Sequence, residues 1–205
     1  MRRISRRRFL QTLGLSGAGV VGLSGYGLVE PVWRLQVTRY RVSPRDWPRG
    51  FALSIAVIAD VHAGGPAMPV ERIGGIVAQT NALNPDVIVL LGDFAASHRF
   101  KSRSVGPDEW ALAMGKLSAP LGVHAILGNH DWWDDRAAQR ARKGPVVGRR
   151  ALERQGVPVY ENDVVRLCHH GRPFWLAGLG DQLAFFKGRR KTAWSSFAGV
   201  HDLDG

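Results

Sequence analysis

At 205 residues, 45% hydrophobic and 22% charged, the chain can hold one α/β domain with a sizeable core, or one domain plus a tail, and its composition excludes a disordered protein. The formal charge of +11 is unevenly spread: Arg2, Arg3, Arg6, Arg7 and Arg8 crowd the start, seven basic residues stand against Glu153 between Arg136 and Arg154, and the remaining 16 basic and 16 acidic residues balance. That distribution excludes a broad basic face, so no nucleic-acid partner is expected, and the single Cys168 excludes an internal disulfide framework.

At the N-terminus, SRRRFLQ (Ser5–Gln11) leads into Phe9–Val29, which carries no charge. Basic residues before an apolar, glycine-rich stretch make an export signal. Ser5, the Arg6–Arg7 pair, Phe9 and Leu10 resemble the twin-arginine type. The same stretch, about 20 residues long, is also long enough to span a bilayer. Residues 1–30 are therefore read as a twin-arginine signal or an uncleaved membrane anchor, with the twin-arginine export machinery as a partner. Either way the domain is expected in the periplasm or on the outer face of the cytoplasmic membrane.

Residues 31–50 read as an N-terminal strand and linker. VWRLQVTRY (Val32–Tyr40) alternates like a half-exposed strand, and SPRDWPRG is a turn-rich break. From Phe51 the chain is read as one domain. Phe51–Ala59 predicts a buried strand ending on Asp60, and Pro69–Ala82 has helical spacing. DVIVLLGD predicts a second buried strand ending on Asp93. Pro107–Leu117 predicts a helix with Asp108 and Glu109 at its positive end. Val123–Leu127 predicts a third buried strand and Pro145–Gln155 a helix. Short strands at Val157–Tyr160, Val164–Cys168 and Phe174–Ala177 follow, the last two joined by an HHGR turn. Strand, helix, strand, helix, strand is the order of a mostly parallel sheet with covering helices.

Ligand sites in such sheets lie at the carboxyl ends of the strands. The first strand ends in DVH, and the two-residue spacing puts Asp60 and His62 on one side of an extended chain. The second ends in Gly92–Asp93, and the third runs into Gly128, Asn129, His130 and Asp131. Carboxylates, an imidazole and an amide oxygen suit Mn, Fe, Zn or Mg. A lone strand-end Asp is usually a helix cap and an isolated Asn-His pair a turn. Three such ends in register point instead to one shared site.

In these motifs, Asp-x-His, Gly-Asp and Gly-Asn-His-Asp in order, the chain resembles the calcineurin-like metallophosphoesterases over roughly Phe51 to its last residue. RPFWLAGLGDQ resembles the branch exported by the twin-arginine route. The resemblance implies an α/β/β/α sandwich of central sheets flanked by helices, two divalent metal ions and a phosphate-ester substrate. It implies that Asp60 and His62 hold one metal, Asp93 bridges both, Asn129 holds the second, and His130 stabilises the phosphoryl group or protonates the leaving oxygen. Asp131 is read as a residue behind the ligands or a helix cap. The chemistry implied is hydrolysis of a phosphate mono- or diester by a hydroxide activated between two metals.

The family's later His and Gly-His-x-His do not occur before Gly205. The chain is accordingly expected to be cut short, lacking strands and two sets of imidazole ligands. His169 and His170 are read as facing solvent from a hairpin turn, and His201 as structural. Trp132 and Trp133 read as packing residues, with stacking against a nucleobase or sugar as the alternative. His98, Arg99, Lys101 and Arg103 are either a solvated loop or phosphate contacts. The alternative to an enzyme is an inactive relative that binds a phosphate-containing ligand or a membrane surface, the latter through the N-terminus and the basic run at 136–154.

Overall fold

The computed structural model describes residues 34–95, 102–187 and 190–192, and the chain divides after Arg45 into two units. The expected signal or anchor, residues 98–101 and His201 lie outside the described residues. In the first unit, residues 34–44 form neither helix nor strand and are almost wholly exposed. This corrects the strand expected at Val32–Tyr40. Alternation alone makes no strand, because the N–H and C=O groups of a strand need a paired neighbour.

The second unit opens with β1 (Ile55–Ile58), the short β2 (Gly64–Gly65), helix α1 (Val70–Ala82) and β3 (Val87–Leu90). Then come β4 (Arg103–Ser104), α2 (Pro107–Met114), β5 (Val123–Ala125), α3 (Asn129–Trp133), α4 (Arg136–Ala141) and α5 (Val147–Arg154). Two hairpins follow: β6 (Asp163–His169) with β7 (Arg172–Gly178), and β8 (Phe185–Lys187) with β9 (Arg190–Thr192). The central sheet is parallel in the order β1-β3-β5, with Ile55 opposite Val87 and Ile88 opposite Val123. Val159 adds an isolated parallel bridge to Ala125, a shorter pairing than the strand expected at Val157–Tyr160. This is the mixed α/β architecture that the element order predicts.

β3, at the centre, is buried at Val87, Ile88 and Leu90 and half-buried at Val89. β1 is an edge strand, and Ile55 and Val57 are 50% and 57% exposed while Ile58 is buried. The expectation of a fully buried first strand is thus corrected: alternate side chains point to opposite faces, and one face of β1 stays uncovered among the described residues. The covered face meets α1 through Ile73 and Val77 and α2 through Trp110 and Met114. Pro107 opens α2, and the Glu109 carboxylate accepts the Gly106 N–H at 3.1 Å, satisfying one of the helix's unpaired donors.

Core anchors alternate with polar residues where the strands end. Val61 is buried between Asp60 and His62. Phe94, directly after Asp93, stacks on Trp110 at 4.9 Å. Trp132, directly after Asp131, is buried against Phe185 and donates its Nε1–H to Glu161 at 3.0 Å. Each anchor pins the backbone beside a polar group, so burial of apolar surface fixes where the polar side chains stand.

The basic run is largely partnered. Arg149 bonds Glu153 at 2.7 Å and Glu161 at 3.1 Å, Arg154 pairs with Asp108, Arg150 donates to the Pro145 carbonyl, and Arg142 lies over the Phe185 ring. In the β6–β7 turn, His170 and Gly171 both have positive φ (49° and 75°), the backbone of a two-residue hairpin turn. His170 is exposed as expected. His169 is not: it is 8% exposed, set edge-on to Phe51, with Nε2 3.8 Å from Asp86. A hairpin's first flanking residue faces whichever side its strand register dictates, and here that side is the interior.

Candidate metal centre

Each predicted site residue leaves the carboxyl end of a parallel strand. Asp60 and His62 follow β1, Asp93 follows β3, and Asn129 and His130 open α3 beyond β5. The segment after β1 is laced to the segment after β3 by Asp60 N–H to Gly92 C=O (3.2 Å), His62 N–H to Asp93 C=O (2.9 Å) and Ala63 N–H to Phe94 C=O (2.7 Å). Asp60, His62 and Asp93 all lie in the left-handed region, at φ 52°, 44° and 55°. The expectation of extended chain through Asp60 and His62 is corrected by these angles. The side chains converge because the backbone turns, and the strained conformations cost about 1 kcal/mol or more each.

One ligand atom from each of His62, Asp93 and His130 lies within 4.8 Å of the other two. His62 Nε2 stands 3.8 Å from Asp60 Oδ1 and 3.9 Å from Asp93 Oδ2. Its other nitrogen, Nδ1, is 3.2 Å from the Ala95 carbonyl. A carbonyl accepts only, so Nδ1 carries a proton and, in the neutral ring, Nε2 turns its lone pair toward the carboxylates. The Asp60 side chain is 71% exposed and that of Asp93 14%. Asn129 is half-buried at the first position of α3.

Two glycines let the motifs touch. A Cβ on Gly92, whose φ is +85°, would fall 2.1 Å from the Gly128 nitrogen, and one on Gly128 would fall 2.2 Å from Asp93 Oδ1. The vacated space lets the His130 N–H donate to Asp93 Oδ1 at 2.9 Å. Asp131 braces the junction from behind. Its carboxylate accepts N–H groups from Asp93 (2.8 Å), Phe94 (2.9 Å) and Gly128 (2.9 Å). Burial raises the Asp131 carboxyl to about 6 even though the three backbone donors pull it down.

The set fits a divalent cation. Carboxylate oxygens and an imidazole lone pair converge, and the imidazole is held in its ligating tautomer by a hydrogen bond behind it, as metal-binding histidines usually are. Sequence reasoning located the strand-end residues, but it had no signal for the Ala95 carbonyl or for Trp133. The Trp133 indole stands 5.0 Å from the His130 ring. His169 lies beside Asp86, before β3 and hence at the opposite end of the sheet. Arg103 pairs with Glu109 at 3.1 Å.

The family model for calcineurin-like phosphoesterases matches residues 53–202. The chain belongs to this family. Calcineurin-like phosphoesterases use divalent metals, in keeping with the donor set above. Among relatives of this chain, a "Transmembrane protein with metallophosphoesterase domain" from Danio rerio is 30% identical over 54% of this chain and 24% of its own length. "Phosphodiesterase YaeI" from Escherichia coli is 29% identical over 87% of this chain and 61% of its own. "UDP-2,3-diacylglucosamine pyrophosphatase LpxG" from Chlamydia trachomatis is 31% identical over 49% and 32%. The chain spans less than two thirds of the length of each of these relatives. No solved structure matches it.

Proposed function

We propose that the chain carries the centre of an exported, two-metal phosphoesterase that hydrolyses a phosphate mono- or diester. The observation that carries this reading is the convergence of Asp60, His62, Asp93 and His130 at the ends of three parallel strands. Asp60 and His62 would hold one ion, Asp93 would contact both, and Asn129 would hold the second. When bound, the ions supply charge neutralisation for phosphoryl transfer and make hydroxide available near neutral pH. The chain's own residues do the rest. Asp93 would supply the anion shared by the two ions and would offset their repulsion. Gly92 and Gly128 let strand ends approach, and Asp131 holds them in register. His130, set beside the cluster, donates a proton to the leaving oxygen or hydrogen-bonds the phosphoryl group.

Related proteins named as a phosphodiesterase and a pyrophosphatase support a phosphate-ester substrate. The Ser5–Leu10 pattern supports export, for which Lys in place of Arg6 and Arg7 is the test: the protein should then stay in the cytoplasm. The enzyme reading is tested with Asp93→Asn, using Mn²⁺ with p-nitrophenyl phosphate and its bis-ester. Activity and most bound metal should be lost. Wild-type turnover and two retained metals would remove Asp93 from the bridge. Metal binding by the unaltered protein without turnover of either ester would return the chain to a phosphate-binding role.

A further inference from the structure

We infer that Trp133 is a positioning residue for His130. Two rings approach the His130 imidazole. His62 lies 5.0 Å away at 83°, and Trp133 lies 5.0 Å away at 60°, both in the edge-to-face range that aromatic rings favour. Both flanking rings are themselves tied down, His62 through Nδ1 to the Ala95 carbonyl and Trp133 through its Nε1–H to the Leu183 carbonyl at 2.7 Å. The backbone end of His130 is held by its N–H on Asp93. The two rings restrict rotation of the imidazole about its side-chain torsions, which a backbone bond alone cannot do.

The neighbouring tryptophan shows the difference in role. Trp132 is 2% exposed, packs on Phe185 and bonds Glu161. Trp133 is only half-buried. It joins α3 to a segment 50 residues later, near the partly exposed Leu183. The Trp133 indole packs at the margin of the core, and it also lies against the His130 ring.

This inference rests on the role proposed for His130. A proton donor displaced by an ångström loses much of its effect, so Trp133→Ala should lower kcat on bis-p-nitrophenyl phosphate with Mn²⁺ by about 10–10²-fold. KM should change by less than about threefold, with metal content unchanged. Trp133→Phe keeps a ring against His130 and should recover most of the rate. In a His130→Ala background Trp133→Ala should cost nothing further, since there is no imidazole left to orient. Equal losses in both backgrounds would overturn the inference. A second measurement needs no turnover: side-chain relaxation of the His130 ring in the metal-free protein, its signals identified by their absence in His130→Ala. Ring order should fall in Trp133→Ala and persist in Trp133→Phe, and unchanged order in Trp133→Ala would overturn the inference. Should His130→Ala itself leave the rate intact, the proposed role of His130 fails, while the relaxation result still decides whether Trp133 orients the ring.

Discussion

The carboxylate of Asp131 closes on the backbone N–H of Asp93 at 2.8 Å while also holding Phe94 and Gly128. One side chain thereby locks the loop after β3 onto the start of α3. Asp131→Asn turns an N–H donor toward backbone N–H groups, and Asp131→Ala leaves buried donors without partners. Either change should cost about 2–4 kcal/mol, since hydrogen bonds to a charged group are strong and unsatisfied buried groups are costly. Metal affinity should fall about 10–100-fold because the ligands lose their brace. Urea unfolding and metal titration of the same variants check both figures.

Gly92 and Gly128 should be intolerant for a reason that Gly156 does not share. All added Cβ atoms at the first two meet atoms within 2.2 Å, whereas one at Gly156 meets nothing within 4 Å. Gly128→Ala should displace Asp93 and abolish metal binding while the helices persist. Gly156→Ala suffers only its positive φ (+78°), a cost of about 1 kcal/mol. Metal content and circular dichroism of the two variants should therefore separate cleanly.

The Arg149 and Arg154 ion pairs should differ in worth. Arg154 and Asp108 are both exposed, so Arg154→Ala should cost less than about 0.5 kcal/mol. Arg149 is partly buried and bonds Glu161, whose side chain is 10% exposed. Arg149→Ala should cost about 2 kcal/mol by leaving that carboxylate without its cation, with the Trp132 N–H still on it. Burial already raises the Glu161 pKa, and losing the guanidinium raises it further. A carboxyl with a raised folded pKa binds a proton more tightly when folded, so the variant's deficit should grow as pH rises through that pKa. Stability measured from pH 4 to 8 tests the slope, and a pH-independent deficit would contradict the assignment.

Ser54 and Asp86 carry the opposite sign. The Ser54 hydroxyl donates to Asp86 at 2.6 Å and its N–H at 2.7 Å, and these bonds hold the Asp86 pKa below its ordinary value. A depressed carboxylate contributes stability above the unfolded pKa, about 3.9, and loses it as pH falls through the folded one. Ser54→Ala removes the hydroxyl's bond to the carboxylate and the one it accepts from the Asp86 N–H at 3.0 Å, and should cost about 1–2 kcal/mol at pH 7. The part of the difference carried by the carboxylate should vanish in strong acid, leaving the smaller part carried by the Asp86 N–H, as acid-unfolding curves of the two proteins would report.

Much of the architecture was legible in the residues alone. The helices at Pro69–Ala82, Pro107–Leu117 and Pro145–Gln155 were marked by apolar spacing and proline starts, which are local signals. The strand ends carrying Asp60, His62, Asp93, Asn129, His130 and Asp131 were legible because a buried apolar run and a following polar motif are both contiguous in the chain. Tertiary structure decided what depends on distant partners. Val32–Tyr40 alternates, yet residues 34–40 form no strand, and among the described residues β1 became a half-exposed edge because order in a sheet is set by neighbours far away in sequence. His169 went inside because the hairpin register turned it toward Phe51 and Asp86. The tautomer of His62, the left-handed turns at Asp60, His62 and Asp93, and the indole beside His130 all arise where separate segments meet. Local patterning can say that polar groups stand at the strand ends, but only the packing between those ends sets which atoms face one another.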